Sequence, residues 1–269
     1  MSAPPTAAQA PPVLVATDGR GVATVTLNRA HVNNAYDGAL LAALTEGARA
    51  LGADPRVRVI VIRGAGRHFQ AGADLGWLRA MAEAAPEAAF AASMGTTAAM
   101  AALNECSKPT LALVNGACFG GGCGLVACCD IAIAASDAIF GLTEVRVGVA
   151  PSPISTHLVA AMGLRHARRY GISGERFDAA EAARIGLVHE VVEPDALESR
   201  GEAIVAEILK SAPGAIARTK ASLLAANGLV LDGARLQHLA HDSWLQRGSD
   251  EGREGLAAFA QKRKPAWAP

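Results

Sequence analysis

Alternation of apolar and polar residues divides the chain into strands and helices. Residues 21–28, GVATVTLN, alternate like a half-buried strand, and residues 57–64, VRVIVIRG, form the β-branched run of a buried one. Between them, apolar residues recur at helical spacing from Leu40 to Leu51. Asp37 precedes them as a suitable N-cap, so the sequence predicts a helix beginning there.

The same order of elements returns further along the chain. An Ala-rich helix is predicted over about 86–105, followed by a strand over 110–116, a glycine turn, a short helix and a strand over 130–135. A strand, a glycine turn, a helix and a strand thus follow one another at least twice, which indicates an α/β fold.

Strand patterning nearly disappears after Ser155, apart from residues 186–193. Pro194 and Asp195 are predicted to begin a helix that places Leu197, Val205 and Leu209 on one face together with Ile204 and Ile208. We therefore divide the chain into a tail at 1–12, a core at 13–193 and a helical region at 194–269. The tail is Ala/Pro-rich and expected to be disordered, and the helical region is an appendage or an arm against a neighbouring subunit.

Charge and cysteine content narrow the class of protein. The chain has 25 basic and 25 acidic residues, which argues against nucleic acid as a partner. No apolar run reaches the roughly 18–20 residues of a membrane span, and the N-terminus resembles neither a signal nor a transit peptide, so we expect a cytoplasmic protein. Five cysteines cluster in apolar sequence without a CxxC pair. They predict buried, reduced thiols rather than a metal site.

Two glycine turns are the candidate site of chemistry. QAGAD, residues 70–74, and FGGGCG, residues 119–124, both follow a predicted buried strand and precede a helix. Backbone N–H groups at a helix start lack internal partners, and two such turns could direct two of them at one oxygen, as in an oxyanion hole. Phosphate binding is an alternative, although no GxxxxGK[ST] or GxGxxG pattern is present. Tight packing of bare backbone is the other alternative, and the residues alone leave all three open.

Three motifs, in this order, resemble the enoyl-CoA hydratase/isomerase (crotonase) family. They are FQAGADLGWL at 69–78, NGACFGGGCGLVACCDIAIA at 115–134 and FGLTEVRVGVAP at 140–151, and the resemblance extends over nearly the whole chain. It implies a ββα-spiral core, a C-terminal helical region used in oligomerisation, assembly as homotrimers or homohexamers, and an acyl-CoA thioester substrate. Coenzyme A would enter as part of the substrate, and the resemblance implies no further cofactor and no metal.

The resemblance also assigns residues. The N–H groups of Ala73 and Gly121 would hold the thioester oxygen, and Ala71, Leu75 and Gly120 belong to the same two motifs. Coenzyme A would meet Arg29, His31 and Val32 in NRAHVNNA, where the family's usual proline is Ala30. Phe259 and Lys262 match family positions at the adenine and phosphate end, with a solvated surface charge as the alternative for Lys262. Asp74 is included among the binding positions, although an N-cap role for it is favoured.

Hydratases of this family typically carry two glutamates. The position of the second is Glu144, an acid/base candidate whose alternative is a purely structural acid at a helix start. The position of the first is Gly124, one helical turn after Gly121. A single carboxylate suits an enoyl-CoA isomerase, or a hydratase in which water relays the proton. A catalytically silent acyl-CoA binder is a third hypothesis.

Other stretches favour the hydratase. GGGCGLVACCDIAIA and LTEVRVGVAPSPIS resemble a subgroup acting on branched, carboxylated enoyl-CoAs of the methylglutaconyl, carboxygeranoyl or isohexenylglutaconyl types. In that subgroup glycine is common at position 124. Four polar residues are candidates to meet a substrate carboxylate or water, although surface or capping roles are favoured for each: Arg79, Ser152, Ser155 and His157.

Overall fold

A six-stranded sheet forms the centre of the protein, with a three-stranded sheet beside it. The computed structural model describes residues 10–82, 84–148 and 150–227 and, beyond these, only 250, 254, 258, 261 and 263–267. The large sheet has the order β1-β2-β3-β4-β6-β9, with one antiparallel pair, β1 and β2, and otherwise parallel pairs. Its strands are β1 Val13–Thr17, β2 Val22–Leu27, β3 Val59–Gly64, β4 Thr110–Val114, β6 Ile131–Ala135 and β9 Glu190–Val192. The small sheet joins β5 Ala117–Phe119, β7 Ile139–Gly141 and β8 Arg176–Asp178 in the order β5-β7-β8.

Helices cover both faces of the large sheet. They are α1 Gly38–Ala53, α2 Leu75–Ala82, α3 Pro86–Asn104, α4 Gly121–Cys128, α5 Ser152–Ser173, α6 Ala179–Arg184, α7 Leu197–Leu209 and α8 Pro213–Ala226. Short 3-10 turns occupy Ala30–Val32, Glu144–Val147 and Pro194–Ala196. None of the helices that the structure describes is long and apolar enough to cross a membrane.

The interior strands are buried on both faces, as expected for parallel strands between helices. In β3, Ile60 and Ile62 face a core that also contains Leu40 of α1, whereas Val59 and Val61 face Val205 and Leu209 of α7. This double burial is why the segment is a continuous β-branched run rather than an alternating one.

A buried ion pair fixes α8 to the edge of this core. Lys220 is only 8% exposed, and its Nζ lies 2.8 Å from Asp130 Oδ2. The same carboxylate oxygen accepts hydrogen bonds of 2.8 Å from the backbone N–H and the hydroxyl of Thr110. The pair therefore joins α8 to the start of β4 and to the residue before β6.

Most of the predicted elements are confirmed. The helix after Asp37 is α1, and Asp37 Oδ1 accepts a hydrogen bond of 2.9 Å from the Leu40 N–H. The strands predicted over 21–28, 57–64, 110–116 and 130–135 and the helix over 86–105 agree with β2, β3, β4, β6 and α3 to within two residues at each end. The cysteines are free thiols, four buried and Cys129 half-buried, as predicted for core packing.

Some predictions about elements were wrong. The strand predicted over 186–193 is only β9, Glu190–Val192, and a 3-10 turn occupies Pro194–Ala196 before α7 begins at Leu197. The sequence reasoning also missed β1, β5, β7 and β8. The last three have three residues each, too few to show alternation, and pairing across the small sheet defines them. Residues 1–9 of the predicted tail lie outside the described residues, so the tail at 1–12 stays a prediction, as does the oligomerisation role of 194–269.

Candidate functional site

Both glycine turns and the predicted acid line one cavity of about 1370 Å³. Ala71, Gly72 and Ala73 contribute one wall, and Gly120 and Gly121 contribute another. Glu144 lines the same cavity, and residues of α2, α3 and the start of α5 contribute to the rest of the lining. The fold thus brings together residues that are more than 70 positions apart in sequence.

The first turn is held in a fixed orientation by Tyr36 and Gln70. The Tyr36 N–H donates to Gly72 O at 2.9 Å, and the Asp74 N–H donates to Tyr36 O at 2.8 Å. Because successive N–H groups of an extended chain point to opposite sides, the intervening Ala73 N–H points away from Tyr36. The buried Gln70 side chain bonds both polar backbone groups of Gly72, at 2.8 and 2.9 Å. The turn is therefore rigid, with one backbone donor free of these bonds.

Each of the three consecutive glycines leaves space for a different neighbour. A Cβ on Gly120 would lie 2.9 Å from Glu144 Oε1, and one on Gly121 would lie 2.3 Å from Tyr36 Cε1. A Cβ on Gly122 would lie 2.6 Å from Gln70 O. Gly120 also has φ of +52°, which disfavours any side chain there. Close approach therefore requires bare backbone, and since α4 begins at Gly121, the N–H of this residue lacks an intrahelical partner.

Glu144 is a half-buried residue with one buried carboxyl oxygen that has no hydrogen-bond partner. It begins the 3-10 turn after β7, and within the described part of the chain its Oε2 is buried and unpaired. Burial raises the pKa of Glu144 above its ordinary range, partly offset by a hydrogen bond from its own backbone. Thr143 precedes it but makes no side-chain capping bond. An unpaired carboxylate with a raised pKa suits proton transfer more than a structural cap.

The position of the family's other usual acid, Gly124, is closed by packing. Gly124 is buried in α4, and a Cβ there would lie 2.3 Å from Ile154 Cγ2 and 2.8 Å from Ile154 Cβ. Ile154 belongs to α5 and lines the cavity. An apolar side chain therefore takes the space in front of residue 124.

The candidate coenzyme A residues lie in different surroundings. The Arg29 guanidinium lies 3.0 Å from the Asp37 carboxylate and 3.2 Å from that of Asp74. These ion pairs connect the chain before α1 to the glycine turn at 70–74. His31 is exposed and Val32 half-buried in their 3-10 turn. Asp74 Oδ1 accepts hydrogen bonds from the N–H groups of Gly76 and Trp77, which confirms an N-cap role.

Not every predicted binding residue can be placed. Ala71 and Gly120 line the cavity, and Leu75 is the first residue of α2. Phe259 and Lys262 lie outside the described residues. The coenzyme A assignments stay predictions.

Of the four remaining polar candidates, the side chain of Arg79 lies outside the described part of the structure. Ser152 and His157 line the cavity, and burial lowers the pKa of His157. The Ser155 hydroxyl donates to Ser152 O at 2.9 Å, a local bond at the start of α5. Within the described residues, no three His, Cys, Asp or Glu side chains are grouped as a metal site would need.

Sequence reasoning missed several residues of the cavity wall. Tyr36 lies against Gly121, Ile154 faces Gly124, and Arg146 and Arg176 also line the cavity. Tyr36 directly precedes the N-cap Asp37 and is one of only two tyrosines, which was the available signal. The other three come from elements whose position relative to the glycine turns is set by tertiary packing.

The fold is a mixed sheet flanked by helices, and two backbone turns and the Glu144 carboxyl group meet at one cavity. This arrangement is typical of the active site of an α/β enzyme. Comparison with known proteins gives the class: residues 17–269 match the enoyl-CoA hydratase/isomerase family, and the chain belongs to that family. A curated relative from Thermus thermophilus, a putative enoyl-CoA hydratase, is 35% identical over 245 residues, covering 91% of this chain and 96% of the relative. The 2,3-dehydroadipyl-CoA hydratase of Escherichia coli is 32% identical, covering 94% and 97%.

Solved structures agree with this family. AtuE of Pseudomonas aeruginosa superposes with a TM-score of 0.92 at 39% identity, covering 96% of this chain and all of AtuE. An enoyl-CoA hydratase of Shewanella pealeana gives 0.91 at 35%, covering 95% and 96%. The crotonase-type α/β fold expected from the sequence is therefore confirmed.

Proposed function

We propose that this protein adds water across the 2,3 double bond of an enoyl-CoA thioester, with Glu144 as the acid/base group. The observation that carries the proposal is the buried, unpaired Glu144 Oε2 in a cavity walled by both glycine turns. A buried polar atom without a partner is costly, and a reacting water or substrate would supply that partner. The names of family relatives as enoyl-CoA hydratases support the same reaction.

The backbone N–H groups of Ala73 and Gly121 are proposed to hold the thioester oxygen. Adding water at C3 moves electron density onto that oxygen as an enolate. Fixed donors stabilise such charge by about 3–4 kcal/mol each. The orientation of Ala73 away from Tyr36 and the position of Gly121 at the start of α4 support this role. Coenzyme A enters as part of the substrate, and the reaction balances without another cofactor.

With Ile154 in front of Gly124, Glu144 is proposed to serve both proton transfers. Glu144 takes a proton from water while the water oxygen bonds to C3, and the double-bond electrons pass to the thioester oxygen. The protonated Glu144 then returns that proton to C2 as the thioester reforms. The raised pKa of Glu144 supports this double use, because it shifts the carboxyl towards the pH at which such a group can both accept and donate a proton.

The substrate is proposed to carry a branched or carboxylated acyl group, as in the methylglutaconyl-type subgroup. Arg146 and Arg176 line the cavity, where a guanidinium can pair with a carboxylate. Arg176 is exposed and its guanidinium stacks 4.9 Å from the centre of the Phe119 ring. Relatives named for the dicarboxylic 2,3-dehydroadipyl and benzylidenesuccinyl groups support this class.

Two further expectations are also proposals. The family resemblance supports assembly as a homotrimer or homohexamer in the cytoplasm. Light scattering of the purified protein distinguishes these assemblies from a monomer.

The reaction is tested with heavy-oxygen water. Straight, methyl-branched and carboxylated 2-enoyl-CoA esters are incubated with the enzyme, alongside a 3-enoyl-CoA. We expect label in a 3-hydroxyacyl-CoA product, fastest with a carboxylated ester. Double-bond migration without label would favour the isomerase, and binding without turnover of any ester would favour a silent acyl-CoA binder.

Glu144→Gln tests the acid/base assignment in the same assay. We expect turnover to fall at least 1000-fold, at the middle of the range for a general acid/base group. Glu190→Gln is the control, because Glu190 pairs with Arg200 at 2.6 Å on β9 and does not line the cavity. Unchanged turnover in Glu144→Gln would remove the proposed mechanism.

A further inference from the structure

Tyr36 and Glu144 contact neighbouring residues of the glycine turn. The space beside Gly121 is filled by Tyr36 Cε1 and the space beside Gly120 by Glu144 Oε1, at 2.3 and 2.9 Å from the respective Cβ positions. Successive Cα atoms are about 3.8 Å apart. The phenol and the carboxyl group therefore flank a single peptide unit, and both residues line the cavity.

The Tyr36 side chain is held firmly in this place. Its backbone brackets Ala73 through the two hydrogen bonds to Gly72 and Asp74. Its ring packs edge-on against Trp77, with ring centres 5.8 Å apart and planes at 67°. A phenol fixed in this way loses little further freedom when it binds a ligand.

The electrostatics keep the phenol protonated. Burial and then the nearby Glu144 carboxylate raise the pKa of Tyr36 to about 12, and a side-chain hydrogen bond with Thr96 acts in the opposite direction. Tyr36 therefore presents a neutral O–H over the physiological pH range, able both to donate and to accept a hydrogen bond.

A reacting water between these groups needs more than one partner. Glu144 Oε2 can accept one of its protons, whereas Ile154 closes the direction from which a second acid at position 124 would reach. Tyr36 is a hydroxyl-bearing residue whose ring the fold places beside the same peptide unit.

We propose that the Tyr36 hydroxyl is the second hydrogen-bonding partner of the reacting water and holds it against Glu144. This inference rests on the proposed hydration. Glu144 takes one water proton as the oxygen bonds to C3, and the double-bond electrons move to the thioester oxygen. The other proton stays on the new C3 hydroxyl, which remains hydrogen-bonded to Tyr36 Oη. Tyr36 neither gains nor loses a proton overall.

The test compares Tyr36→Phe with Tyr170→Phe, which together cover both tyrosines of the chain. Tyr170 is a suitable control because its hydroxyl bonds Glu181 and it does not line the cavity. We expect Tyr36→Phe to lower kcat about 10- to 100-fold for 2-enoyl-CoA hydration, with KM within threefold. Tyr170→Phe should stay within threefold in both constants.

The affinity for the product distinguishes a hydrogen bond between Tyr36 and the C3 hydroxyl of the product from a purely structural role of Tyr36. In Tyr36→Phe, the Kd of a 3-hydroxyacyl-CoA should rise about three- to tenfold, while that of the saturated acyl-CoA of equal length stays constant. Equal weakening of both ligands, or no weakening of either, would overturn the proposal.

A second measurement needs no change at Tyr36. In Tyr170→Phe, Tyr36 is the sole tyrosine, and the hydrogen bonding of its phenol is followed at neutral pH by ultraviolet difference absorbance, with Tyr36→Phe as the reference. The 3-hydroxyacyl-CoA should change this tyrosine spectrum relative to the saturated ester, and identical spectra would contradict the inference. Loss of turnover in Glu144→Gln with unchanged kcat in Tyr36→Phe would reject the proposed role of Tyr36 and leave the proposed hydration standing. Retained turnover in Glu144→Gln would reject the proposed function itself.

Discussion

Gly124→Ala tests whether packing against α5, rather than helix preference, requires glycine at residue 124. The new Cβ would lie 2.3 Å from Ile154 Cγ2 and 2.8 Å from Ile154 Cβ, whereas carbon atoms in contact are about 3.5–4.0 Å apart. Rotating Ile154 about χ1 moves Cγ2 but not Cβ, so α4 and α5 must separate by several tenths of an ångström or more.

The expected cost follows from two opposing contributions. Overpacking a close-packed core costs about 1–3 kcal/mol, and the fixed Cβ contact places this site near the upper end. Replacing glycine by alanine inside a helix returns about 0.5–1 kcal/mol. We expect a net loss of about 1–2 kcal/mol, equivalent to a fall in Tm of about 2–8 °C.

Thermal unfolding of three variants checks this reasoning. Gly47→Ala is the matched control, because Gly47 lies inside α1 and, beyond its chain neighbours and its own helix backbone, no described atom lies within 4 Å of its Cβ position, so this variant should gain stability. Gly124→Ala combined with Ile154→Ala should cost at least about 1 kcal/mol less than the sum of the single changes. A Gly124→Ala variant as stable as Gly47→Ala would refute the packing argument.

Two other predictions concern Glu144 and Lys220. Because hydration needs the Glu144 carboxylate, kcat/KM should fall as pH decreases through the raised pKa of this group, and a midpoint within the ordinary glutamate range would contradict its burial effect. The fold favours the protonated form of Glu144. The contribution of this residue to stability is therefore fully present below its unfolded pKa and is lost as pH rises through its folded pKa. Because glutamine does not titrate, the Tm of Glu144→Gln relative to wild type should increase with pH. Lys220→Met should cost about 2–3 kcal/mol in the free energy of unfolding, because it leaves Asp130 without its buried partner. Lys210→Met, at an exposed pair with Glu207, should cost less than about 0.5 kcal/mol, and equal losses in denaturant unfolding would contradict the role of burial.

Long periodic segments were predictable from local sequence. Leu40 to Leu51 define the buried face of α1, and the β-branched run of β3 follows from burial between two helical layers. Asp37 and Asp74 were predictable as N-caps because a cap bonds backbone only two or three residues away. The short strands of the small sheet were not predictable, since their definition depends on partners distant in sequence.

The candidate site shows the same division. The three glycines at 120–122 indicated that bare backbone was needed, because glycine is unfavourable without such a need. Their neighbours could not be inferred: Glu144, Tyr36 and Gln70 come from three other parts of the chain. Likewise Gly124 indicated a missing acid, but only the packing of α5 shows that Ile154 fills its place.

The sequence by itself determined the family, the order of the main strands and helices, and which residue types carry chemistry, because these depend on periodicity and local motifs. Tertiary structure decided which of those residues meet. It buried Glu144 with an unpaired oxygen, directed the Ala73 N–H away from Tyr36, and placed Tyr36 and Ile154 around the glycine turn. Such contacts depend on how distant elements pack, and local sequence does not specify that packing.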